Sequence, residues 1–237
     1  MRKENSDISL DYYETRAMAD ALEFARVDDV LKKGTAPLLA RRASGSTLLI
    51  GWSTTLNLTP PQADPMVVVD FSFNRLQHVP DRKNVLKARA AAGSLPFDRG
   101  SFDTIFMINM LHHLAEDNTV ETDRAMRLIL QDTARVMKRS SKLYILEPFL
   151  SPFFEVLNRI FYFPLRLIFN ARRMPMVCFY SLPNFKEALS EAGLELVYST
   201  PIGFDAPIPI SWFFPNIRMN PQWMPQKIKL LEIKKKS

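Results

Sequence analysis

Four short runs dictate the architecture. Thr47-Leu48-Leu49-Ile50, Met66-Val67-Val68-Val69, Thr104-Ile105-Phe106-Met107-Ile108 and Lys142-Leu143-Tyr144-Ile145-Leu146 are almost continuously apolar. A strand with one wet face alternates polar and apolar residues. Continuous runs predict strands buried on both faces, as in a parallel sheet covered by helices. Helical patterns surround them. Tyr12 to Leu31 carries Met18, Leu22 and Ala25 at helical spacing, and a second helix reaches Arg42. Thr122 to Met137 places Ala125, Leu128, Ile129 and Val136 on one face. Asn84 to Ala88 reads as a weaker third strand. A late helix, Phe185 to Ala192 and closed by Gly193, leads to two final strands, Leu194–Tyr198 and Lys227–Ile233. The expected fold is α/β: a doubly wound, mostly parallel, seven-stranded Rossmann-like sheet. It divides into an N-terminal helical extension (1–46) and an α/β domain (47–237). That domain carries a hydrophobic helical insertion or lid at about 149–180 and a basic tail at 234–237.

Composition removes several classes. A chain of 237 residues holds one sizeable domain. Cys178 is the single cysteine, so neither an internal disulfide nor a CxxC site exists, and three histidines (78, 112, 113) give no metal-ligand spacing. The 7 glycines include no close neighbours, which excludes Gly-rich phosphate loops. The formal net charge is +6, with Arg218, Lys227, Lys229, Lys234, Lys235 and Lys236 opposed only by Glu232 near the end of the chain. Such a surface suits an anionic membrane or an acidic carrier. Nucleic acid ranks last, because no aromatic-interleaved RNA-binding signature is present. The first residues are polar, and the most apolar stretch, Phe149 to Phe169, is broken by Pro152, Glu155, Asn158, Arg159, Pro164 and Arg166. Cytoplasmic residence is the default expectation, with membrane association as its variant.

In open α/β sheets ligands bind beyond the carboxyl ends of the strands. Gly51, Trp52 and Ser53 follow the first strand there. Asp70 ends the second, placed to accept hydrogen bonds from two ribose hydroxyls; a helix-cap role is its alternative. His112 and His113 follow the fourth strand as candidate general bases, with a structural role on that loop preferred for both. Glu147 ends the fifth and either binds a substrate group or is a surface carboxylate before Pro148.

Leu95-Pro96-Phe97-Asp98-Arg99-Gly100-Ser101-Phe102-Asp103, Leu111-His112-His113-Leu114, Arg135-Val136-Met137-Lys138 and Val69-Asp70-Phe71-Ser72 together resemble the small-molecule branch of the class I S-adenosylmethionine-dependent methyltransferases. The resemblance covers about residues 47 to 147. It implies S-adenosylmethionine as cofactor, lying over Gly51, Trp52 and Ser53, with its ribose on Asp70 and its adenine between Phe71 and Ala91-Ala92; Met107 joins this set. The family's glycine-rich first motif is altered. Leu49 stands for its acidic residue, Gly51 is kept, and Ser53 and Thr55 replace two glycines.

The insertion is dense in aromatics: Phe149, Phe153, Phe154, Phe161, Tyr162, Phe163, Phe169, Phe179 and Tyr180. Phe204, Trp212, Phe213, Phe214 and Trp223 extend this character. Three readings are open: a packed helical subdomain, an apolar lid over a lipophilic acceptor, or a membrane-facing element with Arg159, Arg166, Arg172 and Arg173 at the lipid surface. The leading expectation is methyl transfer to a hydrophobic small molecule or carrier-protein-bound substrate, such as a quinone precursor, polyketide, polyene or acyl chain. The alternatives are an inactive methyltransferase-fold scaffold that contacts a protein partner, and a reused site with non-methyl chemistry.

Overall fold

The computed structural model describes residues 11–14, 40–52, 63–202, 208–209, 218–219 and 225–236. In chain order these form β1 (Gly45–Ile50), β2 (Ala63–Asp70), α1 (Phe73–Gln77), β3 (Val85–Arg89), β4 (Phe102–Ile108), a 3-10 turn (Leu111–His113), α2 (Thr119–Val136) and β5 (Met137–Leu150). Then follow α3 (Pro152–Ile160), α4 (Tyr162–Ala171), β6 (Tyr180–Ser181), α5 (Leu182–Glu191), β7 (Leu194–Pro201), a ribbon of β8 (Ile208–Pro209) and β9 (Arg218–Met219), and β10 (Gln226–Lys235). Asp11–Glu14 is helical. The rest of the two N-terminal helices, Ser53, Thr55 and the aromatic group from Phe204 to Trp223 lie outside the described residues.

The main sheet has the order β3-β2-β1-β4-β5-β10-β7. Its first five strands are parallel, and β10 runs antiparallel to both β5 and β7. The continuous apolar runs are explained by two cores. Leu48, Ile50, Val67, Val69, Ile105, Met107, Leu143 and Ile145 face α2 and α5. Leu49, Met66, Val68, Phe106, Ile108, Tyr144 and Leu146 face the other side with Leu76 of α1. Residues of successive parity serve opposite layers, so the runs lack the polar–apolar alternation of a half-exposed strand, and the polar Thr47 and Thr104 within them are buried too.

The local signals are physical. Asn118 caps α2 by accepting the Glu121 N–H at 2.9 Å. Gly193, at φ +72°, ends the α5 turn in the left-handed region. The Leu95-Pro96-Phe97 loop is held by Arg135, whose guanidinium donates to the carbonyls of Phe97 at 2.5 Å and Leu95 at 2.8 Å. Asp132 accepts both the Leu95 N–H (2.6 Å) and Arg135 Nε (2.7 Å). Asp103 accepts from Ser46 Oγ and Lys138 Nζ, each at 2.7 Å, tying β1 to β4 and β5.

Three expectations are corrected. Phe149 and Tyr180, expected at the ends of the insertion, pair with each other in the sheet, because β5 runs 14 residues and β6 docks beside its end. The basic tail is not loose: Lys234 and Lys235 belong to β10, and all three lysines are tethered. Lys234 pairs with Glu195 at 2.9 Å, Lys235 Nζ donates to the Met137 carbonyl at 2.7 Å, and Lys236 Nζ donates to Ser190 Oγ at 2.6 Å. Arg159 and Arg166 face inward: Arg159 forks onto Asp123 at 2.9 and 3.0 Å and reaches Glu155, and Arg166 binds Asp117.

Candidate functional site

The strand registers bring four loci to one edge. Ile50 lies beside both Val69 and Met107, and Ile108 lies beside Leu146. Gly51-Trp52, Asp70 and the Asn109–His113 turn therefore stand side by side at the carboxyl ends of β1, β2 and β4, with Glu147 beside them inside the longer β5. Gly51 holds φ +80°, and a Cβ there would sit 3.1 Å from Met110 Cβ, so any side chain presses on the β4 turn.

Asp70 is almost wholly buried. Its Oδ2 accepts the Trp52 N–H at 2.7 Å and its Oδ1 accepts the Ser72 N–H at 2.9 Å. Arg75 Nη1 lies 3.7 Å away. Burial raises its carboxyl above the usual range, opposed by Arg75 and by the Ser72 and Trp52 N–H groups. Above it sits Tyr13, a residue the sequence reading did not single out as part of the site. The Tyr13 ring meets Phe71 edge-on at 5.4 Å and His113 at 5.6 Å, and the Arg75 guanidinium stacks 4.6 Å from its centre. Glu14 fastens this cover, accepting the N–H groups of Phe73 and Asn74 at 2.8 and 2.9 Å. No sequence periodicity links positions 13 and 14 to a strand end almost sixty residues away.

The second locus is a carboxylate–imidazole pair. Glu147 is buried rather than on the surface. Its Oε1 accepts the N–H groups of Met110 (2.5 Å) and Leu111 (2.7 Å), and its Oε2 lies 2.7 Å from His112 Nδ1. With the carboxylate accepting, Nδ1 carries the hydrogen and Nε2 keeps its lone pair. Phe179 stacks on the His112 ring at 5.4 Å. A cavity of about 10 Å³ lies beside the pair, lined by Leu111, Pro148, Phe149, Tyr180 and Phe185. His113 faces the other way, its ring edge-on to Tyr13 and its Nδ1 buried. Burial, aided by His112 and Arg75, holds its ring well below the usual histidine range and so neutral.

Phe71 is partly exposed beside Tyr13. The Ala90 N–H donates to the Asp70 carbonyl at 3.2 Å, which sets exposed Ala91 and half-buried Ala92 next to Asp70. Trp52 turns its ring into the second core, so it meets Asp70 through its backbone. Met107 is corrected. Strand alternation sends it into the α2-side core, with no exposed surface, and it lines no site. Tyr13 Oη and His113 Nδ1 are buried at the site without a hydrogen-bond partner among the described residues. A fixed acceptor carboxylate, aromatic walls and unpartnered polar atoms fit a hydroxyl-rich nucleoside.

Residues 51–145 match the family model described as a methyltransferase domain. No curated protein matches the chain by sequence. Among solved structures, the YcgJ protein of Bacillus subtilis is 19% identical, with a TM-score of 0.60 over 85% of this chain and 98% of its own. Geranyl diphosphate C-methyltransferase of Streptomyces coelicolor A3(2), in complex with Mg2+, geranyl diphosphate and S-adenosyl-L-homocysteine, is 9% identical, with a TM-score of 0.65 over 98% of this chain and 97% of its own. A chain of the Haloferax volcanii complex containing the Trm112 methyltransferase activator is 17% identical, with a TM-score of 0.61 over 92% and 96%. Residues 51–145 thus carry a methyltransferase domain, and the chain has the mixed α/β fold of the class I S-adenosylmethionine-dependent methyltransferases.

Proposed function

We propose that the protein transfers the methyl group of S-adenosylmethionine to a lipophilic acceptor. The observation that carries this reading is the placement of the covered Asp70 carboxylate and the Glu147–His112 pair on one sheet edge, two loops apart. When bound, the cofactor supplies an electrophilic methyl group on a sulfonium centre. Asp70 uses its remaining lone pairs to hold the ribose hydroxyls, while Phe71 and the Ala91-Ala92 segment flank the adenine. Tyr13 closes over this nucleoside and excludes water. His112, oriented by Glu147, accepts a proton from the acceptor where one must leave. Transfer itself depends mainly on in-line proximity. A lipophilic acceptor suits the aromatic surroundings of His112, and the Streptomyces coelicolor neighbour is named for an isoprenoid diphosphate.

A second reading is favoured by the depth of Asp70, which is 3% exposed. In it Tyr13 and Arg75 fill the nucleoside site permanently, and the protein serves as a partner subunit without methyl transfer. One calorimetric experiment separates the two, with S-adenosylmethionine and S-adenosylhomocysteine titrated into the wild type and Tyr13→Ala. Micromolar binding that weakens in Tyr13→Ala supports the enzyme and makes Tyr13 a cover. Silence from the wild type, with binding gained or absent in Tyr13→Ala, rejects the enzyme reading.

A further inference from the structure

On most surface helices polar residues face water and apolar ones face the core. α3 is inverted, and α4 is apolar on its outer face as well as its inner one. α3 buries Glu155 and turns Arg159 onto Asp123 and Glu155, while α4 buries Arg166 beside Tyr162 and Phe169. Outward, at spacings that keep one face, stand Phe153 (66% exposed), Val156, Ile160 (65%), Phe163 (63%), Leu167 and Ile168. Glu155 receives the Ser181 N–H at 3.1 Å and Asn184 Nδ2 at 2.7 Å, so the inner side of the pair is bolted to the sheet edge and to α5. For α3 the protein body has taken the place that water holds for an ordinary amphipathic helix.

The surface charge that this segment itself contributes has one sign, while Asp123 and Asp117 of the neighbouring elements are taken up by Arg159 and Arg166. Between Phe149 and Tyr180 the single acidic residue is Glu155, which is buried. The exposed charges are Arg172 and Arg173, directly after α4, on a chain of net charge +6. Among the described residues no helix is long and apolar enough to cross a membrane. We infer that the α3–α4 face lies in the interfacial layer of an anionic lipid membrane, with its aromatic and aliphatic side chains entering the acyl boundary and Arg172 and Arg173 meeting headgroup phosphates. A protein groove of matching shape would need acids opposite the two arginines and would not require bulk lipid. The membrane reading does not depend on methyl transfer, because it is tested without cofactor.

The test is flotation of the full chain with vesicles of phosphatidylcholine containing phosphatidylglycerol, and with phosphatidylcholine alone. Wild type is expected to float with the anionic vesicles and to be released by high salt. Phe153→Ser combined with Ile160→Ser and Leu167→Ser should abolish flotation. Arg172→Glu with Arg173→Glu should lower it roughly tenfold or more. Unchanged melting temperatures exclude misfolding, since all five side chains lie on the surface. Wild type that stays at the bottom, or flotation that both variants keep, overturns the inference. So does a concentration-dependent dimer in sedimentation that the serine variant dissolves while vesicles remain unbound, because a second copy then covers the face.

Discussion

Glu147 Oε2 lies 2.7 Å from His112 Nδ1, while the other oxygen of the same carboxylate takes two backbone N–H groups of the turn that carries the histidine. One side chain thus shapes the turn and fixes the ring. The two tasks can be separated, because the amide of Gln accepts at one atom and donates at the other.

Glu147→Gln should keep the Met110 and Leu111 hydrogen bonds and present an amide donor to His112. The ring then carries its hydrogen on Nε2, and the proton-accepting lone pair is lost. Nitrogen chemical shifts of His112 should report this tautomer change. Methyl transfer should fall about 10- to 100-fold with cofactor affinity intact. Glu147→Ala orphans both backbone N–H groups and should cost about 2–4 kcal/mol in urea unfolding. Identical nitrogen shifts in wild type and Glu147→Gln would remove the orientation argument.

Asp70 binds hydroxyl donors best as a carboxylate. Burial places its native titration above the ordinary value of 3.8, so cofactor affinity should be full at neutral pH and decline on acidification earlier than an exposed aspartate would dictate. Asp70→Asn should remove this pH dependence along with most of the affinity. A calorimetric pH series on both proteins checks the claim, and an acid limb that persists in the variant refutes it.

The neutral His113 gives a stability signature. Between its depressed native value and the ordinary 6.5, the unfolded chain binds a proton that the folded chain refuses. Stability therefore rises with pH across that window, by roughly 1 kcal/mol per pH unit from this group, and is complete above it. His113→Phe, which needs no Nδ1 partner, should flatten the trend in urea midpoints taken between pH 5 and 7. A slope unchanged by the substitution would assign it elsewhere.

Legibility in the sequence followed range. The strand cores were readable because each run is continuous; α2 was readable as a helix, but its face was not, since Leu128 is exposed and Thr122, Met126, Leu130 and Thr133 join Ile129 and Val136 inside. The Leu95-Pro96-Phe97 and Arg135 motifs were visible as patterns, but their purpose was not. The structure makes Arg135 a clamp on that loop's carbonyls and Asp103 a knot between three strands. Glu147 was read as the end of the fifth strand, but β5 continues to Leu150, and the burial of Glu147 depends on a turn contributed by β4. Tyr13, Glu14 and Arg75 converge only through tertiary docking. Met107 misled because counting to a strand end does not reveal which face a residue serves.

Cys178 is buried next to Asn158, and burial pushes its thiol up to about 12. The native protein should resist thiol reagents at pH 8 and react with one equivalent once unfolded in urea. Rapid native labelling would mean that the segment between α4 and β6 opens readily.

β10 is the latest of the described strands in chain order, yet it lies between β5 and β7, both made earlier. During vectorial synthesis those two edges must wait, each with a row of unpaired backbone groups, until residues 226–235 leave the ribosome. A nascent chain that stops short of Gln226 therefore exposes two adhesive margins at once. Emergence of β10, rather than collapse of the first strands, becomes the event that closes these two margins and ends their exposure to aggregation.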